Sequence, residues 1–182
     1  MTVDRSYFMR AMRSFPAAVN VITTGSLSVR GGLTATAVFS LTADPPQMAI
    51  AVNRSASAVP IIVAEKNFCI NTLSGAQHHV ASRFSGGRKG AERFEDSEWY
   101  RLSSGALALR GAAIVIDCRV VNKIEFTTHA LFVGDVVDVT LGDSTNPLMF
   151  VDGAWANLAP SSESIVEHMD ASLNGAIEQG SN

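Results

Sequence analysis

The sequence predicts a mainly β fold with helices at its periphery, closed into a barrel instead of laid out as a parallel sheet. Two patterns carry that expectation. About seven runs rich in β-branched and apolar residues follow one another at short spacing, as they do in antiparallel barrels. Few of these runs are joined by a helix long enough for the crossover that parallel neighbours require. A chain of 182 residues fits one domain with a real core. That domain is expected over residues 1–160, followed by a polar tail, 161–182, with a short helix over 163–173. Hydrophobic residues make up 47% and charged residues 17%, with a net charge of −3. This balance gives no electrostatic footprint for nucleic acid. No run approaches the roughly 20 apolar residues of a membrane-spanning helix, and the first residues lack the apolar core of a signal peptide. A cytoplasmic protein with no membrane partner is expected, and its apolar excess points to a large subunit interface.

In chain order, residues 4–15 place Tyr7, Phe8, Met12 and Phe15 at helical intervals between Arg5, Arg10 and Arg13, which reads as an amphipathic helix ended by Pro16. Val19, Val21, Ile22, Thr23 and Thr24 mark a strand, and Gly25, Gly31 and Gly32 bracket a hairpin. The stretch 33–57 organises the rest. Over 33–40, hydroxyl or small residues alternate with apolar ones, as in a strand packing one face on a core and offering the other to something polar. After the Asp44-Pro45-Pro46 stop, residues 48–52 are apolar throughout and read as a central strand buried on both sides. The tip Asn53-Arg54-Ser55-Ala56-Ser57 is small and hydroxyl-rich, with a cation. Its backbone N–H groups can approach an anion, with Ser55 and Ser57 as further donors and Arg54 as charge. A helix over 57–65, opened by a serine cap and carrying Pro60 in its first turn, would aim its N-terminus at the same place. Together these predict a strand face for a flat polar ring, followed by a loop for its phosphate.

Residues 68–73 form the next expected strand, and 75–84 a helix with Val80 and Phe84 on one side. His78 and His79 are adjacent and lack the i, i+4 spacing of a shared metal, so both are expected in solvent and no metal is assigned. Residues 85–104 are polar and irregular, the longest expected loop. Long strands follow over 112–124 and 129–141. A hairpin then joins 148–151 to 154–158 through Asp152-Gly153, a dipeptide suited to positive φ angles. Cys69 and Cys118 sit in apolar runs as buried free thiols. Missing motifs exclude other chemistries. There is no G-x-G-x-x-G after a strand, no P-loop, no H-E-x-x-H and no G-x-S-x-G elbow, and Gly86-Gly87-Arg88-Lys89-Gly90 resembles a phosphate cradle only superficially.

The segments Leu33-Thr34-Ala35-Thr36-Ala37, Asp44-Pro45-Pro46 and Asn53-Arg54-Ser55-Ala56-Ser57 resemble the FMN-binding strands of the flavin reductase-like family. That family includes the small reductase components of two-component flavin monooxygenases, and the resemblance extends over about residues 8–158. It implies a split, Greek-key-like β-barrel that binds FMN, or FAD in its place, as a homodimer with flavin at the subunit interface. It also implies hydride transfer from NADH or NADPH, with reduced flavin passing to a flavin-dependent monooxygenase. Such transfer needs none of the missing motifs, because the cofactor supplies the redox chemistry.

By the same resemblance, Thr34, Ala35, Thr36, Ala37 and Ser40 run along the isoalloxazine ring, the two alanines keeping the strand low beneath it. Asn53, Ser55 and Ser57 take the ribityl chain and phosphate, with a capped turn as their other role. Arg83-Phe84 is similar to the Arg-Phe that ends the family's helix, where the guanidinium reaches the phosphate; a solvated helix arginine is the competing account. Thr128-His129-Ala130-Leu131-Phe132-Val133-Gly134 is similar to the segment whose histidine contacts the nicotinamide, which makes His129 the catalytic candidate. The family usually has Gly-Asp before that histidine, where this chain has Thr127 and Thr128, so a differently shaped 124–128 loop is expected. Trp155 falls either beside the flavin or in core packing. Three other readings stay open: an enzyme of this fold that keeps its flavin and acts on another substrate, a flavin-binding module without turnover, and a β-barrel interaction protein without cofactor.

Overall fold

The structure, a computed structural model, describes residues 2–159 apart from Leu27, Gly87 and Thr145. The tail and its expected helix lie outside the described residues. The elements run α1 (Arg5–Ser14), β1 (Ala17–Ala18), β2 (Asn20–Gly25), β3 (Arg30–Ala35), β4 (Val38–Ala43), β5 (Pro46–Asn53), α2 (Val59–Glu65) and β6 (Asn67–Thr72). A 3-10 turn (Gly75–Gln77) leads into α3 (His78–Ser85), and a second (Gly90–Phe94) into β7 (Trp99–Arg101) and β8 (Leu107–Leu109). Then follow β9 (Ile114–Glu125), β10 (His129–Leu141), β11 (Leu148–Val151) and β12 (Ala154–Asn157).

Seven strands form the main sheet in the order β3-β2-β6-β9-β10-β5-β4, with every neighbouring pair antiparallel. A small sheet, β1-β11-β12, and the β7-β8 hairpin flank it. The expected single strand over 33–40 is two strands. β3 pairs only with β2 and β4 only with β5, so they occupy opposite edges of the sheet although two residues, Thr36 and Ala37, separate them. The two-residue link therefore brings the end of β3 close to the start of β4 at that exposed corner. β5 lies one strand in from the edge, between β10 and β4, with Ala49, Ile50 and Val52 buried.

Both faces of the sheet centre are covered, which explains why β2 and β6 read as near-continuous apolar runs. Val21 and Cys69 point into a cluster with Leu73, Val80, Phe84 and Phe94, while Ile22 and Ile70 point into one with Ile50, Ile62, Phe68 and Phe132. The polar 85–104 segment is not an irregular loop. It folds as a 3-10 turn and a strand because Phe94 and Trp99 are drawn into the first cluster, their ring centroids 5.1 and 5.6 Å from that of Phe84. The two thiols are buried as expected. Burial pushes both up, Cys118 to about 12.

Capping follows local chemistry, with one departure from expectation. Asp4 Oδ1 accepts the Tyr7 N–H (3.1 Å) and starts α1, and the Ser6 hydroxyl and that N–H hold its carboxyl below the usual range. Ser57 does not cap α2. Ala58 holds the cap position without a side-chain bond, and Pro60 lies in the first turn. α1 buries none of its residues, leaving Tyr7 61% exposed, and its C-cap residue Phe15 is 67% exposed. Asp152 and Gly153 take φ of 55° and 83° in the β11–β12 turn, as their residue types predict. Among the described residues no helix is long and apolar enough to cross a membrane.

Candidate functional site

The glycines of β3, the 53–57 tip and the 89–93 segment meet over a cleft. One part, about 420 Å³, is lined by Arg30, Gly31, Gly32, Ser55, Ala56, Ser57, Ile61, Lys89, Gly90 and Arg93. A second part, about 270 Å³, shares Gly32, Ala56, Ser57 and Arg93 with it and adds Leu33, Thr34, Phe84 and Ser85. Its floor is set by close packing. A Cβ on Gly32 would stand 2.6 Å from Phe84 Cε1 and 2.8 Å from the Ile22 carbonyl oxygen, so β3 approaches α3 there only as glycine. Arg93 ties the overlying segment down: its Nη1 donates to the Gly32 carbonyl (2.6 Å) and its Nε to the Arg88 carbonyl (2.8 Å). Arg88 in turn pairs with Asp96 (3.2 Å) and Glu95 (3.6 Å).

The 420 Å³ part carries three cationic side chains, Arg30, Lys89 and Arg93, and no carboxylate among its lining residues. Ser55 and Ser57 line the same space, the Ser55 hydroxyl donating to Asn53 Oδ1 (2.8 Å). Cations and hydroxyls of this kind around a small-residue floor suit an anion such as a phosphoryl group, which accepts from both. The other part adds Leu33, Thr34 and Ser85 above the buried Phe84 ring, a mixed polar and apolar wall beside it.

Of the residues predicted from sequence, Thr34, Ser55, Ser57 and Phe84 come together here. The Thr34 hydroxyl donates to the Ala81 carbonyl (2.7 Å), which fastens α3 to β3. Ala35 is buried in the second core cluster, Thr36 and Ala37 are exposed at the corner, and Ser40 is exposed on β4 opposite Met48. Asn53 Oδ1 accepts both the N–H (2.9 Å) and the hydroxyl (2.8 Å) of Ser55, so it shapes the tip. His129 pairs with Asn53 across the β5–β10 ladder and is exposed, its Nδ1 2.8 Å from the Thr128 hydroxyl. The preceding loop is pinned by the Arg54 N–H donating to the Thr128 carbonyl (3.0 Å) and by an Arg54–Glu125 ion pair of 3.5 Å. Lys123 and Arg54 hold the Glu125 carboxyl below the usual range, the Lys123 hydrogen bond being the larger cause.

Two predicted residues lie elsewhere. The Arg83 guanidinium is engaged by the Glu95 carbonyl, the Ser97 hydroxyl (3.1 Å) and Asp96 (3.9 Å), outside the cleft lining. Trp155 stacks edge-on against Phe150 on the small sheet, centroids 5.3 Å apart. Sequence reasoning missed Arg30, Lys89 and Arg93. A signal for Lys89 existed in the glycine- and cation-rich 86–90 stretch, which is no P-loop but still delivers Lys89 and Gly90 to the cleft.

The chain is similar to known proteins over most of its length. Residues 12–159 match the family described as flavin reductase like domain. The FMN reductase (NADH) RutF of Stutzerimonas stutzeri (strain A1501) is 39% identical over 159 residues, covering 87% of this chain and 91% of that protein. Among solved structures, Streptomyces globisporus C-1027 NADH:FAD oxidoreductase SgcE6, in complex with NAD and FAD fragments, superposes with a TM-score of 0.82 at 26% identity, covering 90% of this chain and 99% of that one. A nitrilotriacetate monooxygenase component B homologue from Mycobacterium thermoresistibile does so with a TM-score of 0.82 at 26% identity, covering 88% and 90%.

Proposed function

The chain belongs to the flavin reductase-like domain family, and from that premise we propose that it is an NADH-dependent flavin reductase supplying reduced flavin to a partner monooxygenase. The observation that carries this reading is the cleft, where Arg30, Lys89 and Arg93 line the same space as Ser55 and Ser57 with no carboxylate in the lining, next to the part bounded by Leu33 and Thr34. The phosphate of FMN suits that cationic space, and FAD shares the same feature. A bound flavin would supply the hydride acceptor for NADH, leaving NAD+ and reduced flavin.

The chain's own residues bind and orient. Ser57 and the three cations would hold the phosphate, with Ser55 beside it once its hydroxyl turns from Asn53, and Asn53 would fix the tip beside the ribityl chain. Thr34 to Ala37 and Ser40 border the ring along the β3–β4 corner. Arg83 acts at one remove, steadying the 95–97 segment, and Trp155 packs on Phe150. His129, exposed at the start of β10, orients the nicotinamide, so the rate gain comes from holding two rings at near-attack distance. The protein works as a cytoplasmic homodimer of closed split barrels. The exposed apolar face of α1, with Phe39 and Leu41 on β4 and Phe126 in the β9–β10 loop, supports such an interface.

Titration with FMN and FAD side by side tests the reading, followed by anaerobic mixing with NADH. Quenching of flavin fluorescence and then bleaching of the flavin absorbance are expected. Unquenched flavin would remove the cofactor site, and bound flavin left unbleached would remove the reductase.

A further inference from the structure

We infer that Thr128 is the positioning residue for His129: its hydroxyl donates to Nδ1, which leaves the ring hydrogen on Nε2 as an outward-facing donor for a carbonyl or carboxamide oxygen of the dinucleotide. The inference rests on the reading that His129 meets the nicotinamide. Its geometry is local and specific. Thr128 Oγ1 and His129 Nδ1 are 2.8 Å apart, within hydrogen-bond range. A threonine hydroxyl can donate or accept and so can pair with either tautomer; the inferred direction, donation to Nδ1, is the one that leaves Nε2–H free to face a ligand.

The surroundings hold this pair still without competing for it. The Thr128 carbonyl takes the Arg54 N–H at 3.0 Å, and the His129 carbonyl takes the Phe126 N–H at 2.8 Å, fixing the backbone on both sides. The charged groups on the neighbouring elements are occupied with one another: Arg54 with Glu125 at 3.5 Å, and Glu125 with Lys123 at 2.6 Å. No carboxylate is left to take the Nδ1 position. Asn53, directly across the ladder, spends its oxygen on Ser55. The Thr128 hydroxyl is thus the side-chain partner that sets the imidazole plane.

The test measures NADH oxidation at saturating FMN, FMN affinity, and the ring-nitrogen NMR shifts of His129 in wild type, T128V, T128S and H129A. T128V should raise KM for NADH about fivefold, the order expected for one lost hydrogen bond, with kcat changed less than about twofold and FMN affinity unchanged. T128S should restore KM, and the wild-type ring should carry its hydrogen on Nε2. Three results would each overturn the inference: a T128V enzyme with wild-type KM, a T128S enzyme as impaired as T128V, or a ring protonated on Nδ1 alone. H129A separates the two levels. If H129A is impaired and T128V is not, only the Thr128 role fails. If H129A handles NADH normally, the nicotinamide reading of His129 fails as well.

Discussion

Replacing Gly32 with alanine tests the packing on which the cleft floor depends. The added Cβ would meet Phe84 Cε1 at 2.6 Å and the Ile22 carbonyl oxygen at 2.8 Å, where ordinary contact begins at 3.4 Å. Neither neighbour can yield freely. The Phe84 ring is wedged between Phe94 and Trp99, and the Ile22 carbonyl belongs to β2, which is paired on both sides. β3, an edge strand, must lift away, and overpacking of this kind costs about 1–3 kcal/mol. The neighbouring Gly31→Ala is the internal control. Its Cβ would meet the Ile61 Cδ1 at 2.7 Å, the far end of a flexible side chain, with backbone no closer than 3.5 Å. Alanine there also recovers part of about 0.5–1 kcal/mol of unfolded-state entropy, so G31A should be close to neutral. Urea unfolding of both variants, with unchanged m-values, reads the difference, and thermal unfolding should place G32A lower by about 2–4 °C per kcal/mol. FMN affinity should fall for G32A as the Phe84 floor shifts. A G32A protein as stable as G31A would refute the close approach of β3 to α3.

Other perturbations address the anion pocket, the buried polar network and the thiols. Lys89→Gln should weaken FMN binding about three- to tenfold at low salt and leave riboflavin affinity unchanged, with the difference shrinking as salt is added; equal losses for both ligands would place Lys89 away from the phosphate. Asn67→Ala should cost about 2–4 kcal/mol in urea unfolding. It removes donors to the Gly25 (2.9 Å) and Ser104 (2.8 Å) carbonyls and the acceptor for the Gly25 N–H (2.9 Å). The buried thiol of Cys118, pushed up to about 12, stays protonated in the folded chain while the unfolded thiol ionises near 9. Stability should therefore be intact below that lower value and decline as pH rises through this window, and C118A should flatten the decline seen in urea midpoints. A steep fall that persists in C118A would point to Cys69, whose thiol burial pushes up in the same direction.

Much of the fold could be read from the sequence because its signals are local. The β9 and β10 runs, the Asp152-Gly153 turn and the Asp4-capped helix each declare themselves within a dozen residues. The corner at Thr36-Ala37 does not. Alternation of small and apolar residues continues across it unchanged, and only pairing with β2 on one side and β5 on the other separates β3 from β4. Likewise, charge around Phe94 and Trp99 disguised a core segment, since two aromatics among acids and bases carry no periodicity. Among the residues lining the cleft, Thr34, Ser55, Ser57 and Phe84 were readable, Lys89 had only the glycine-rich stretch around it, and Arg30 and Arg93 carried no local signal. The chain holds two Arg-Phe pairs, 83–84 and 93–94, whose phenylalanines stack on each other with centroids 5.1 Å apart. The first pair ends the helix and drew the assignment. Yet it is Arg93 that reaches the cleft, because α3 aims Arg83 at the Glu95–Ser97 backbone and side chains.

The strand order also constrains how the chain assembles. β2–β3, β4–β5 and β9–β10 are ribbons that can zip locally, but β5 and β6 both find their inner neighbours in the β9–β10 ribbon. During synthesis, two earlier segments must wait with open edges until that ribbon emerges, and closure of such long loops slows folding. The mutations most damaging to yield should therefore fall on its buried positions, Cys118, Phe132 and Val133 among them, where one late-made seam joins both halves of the molecule.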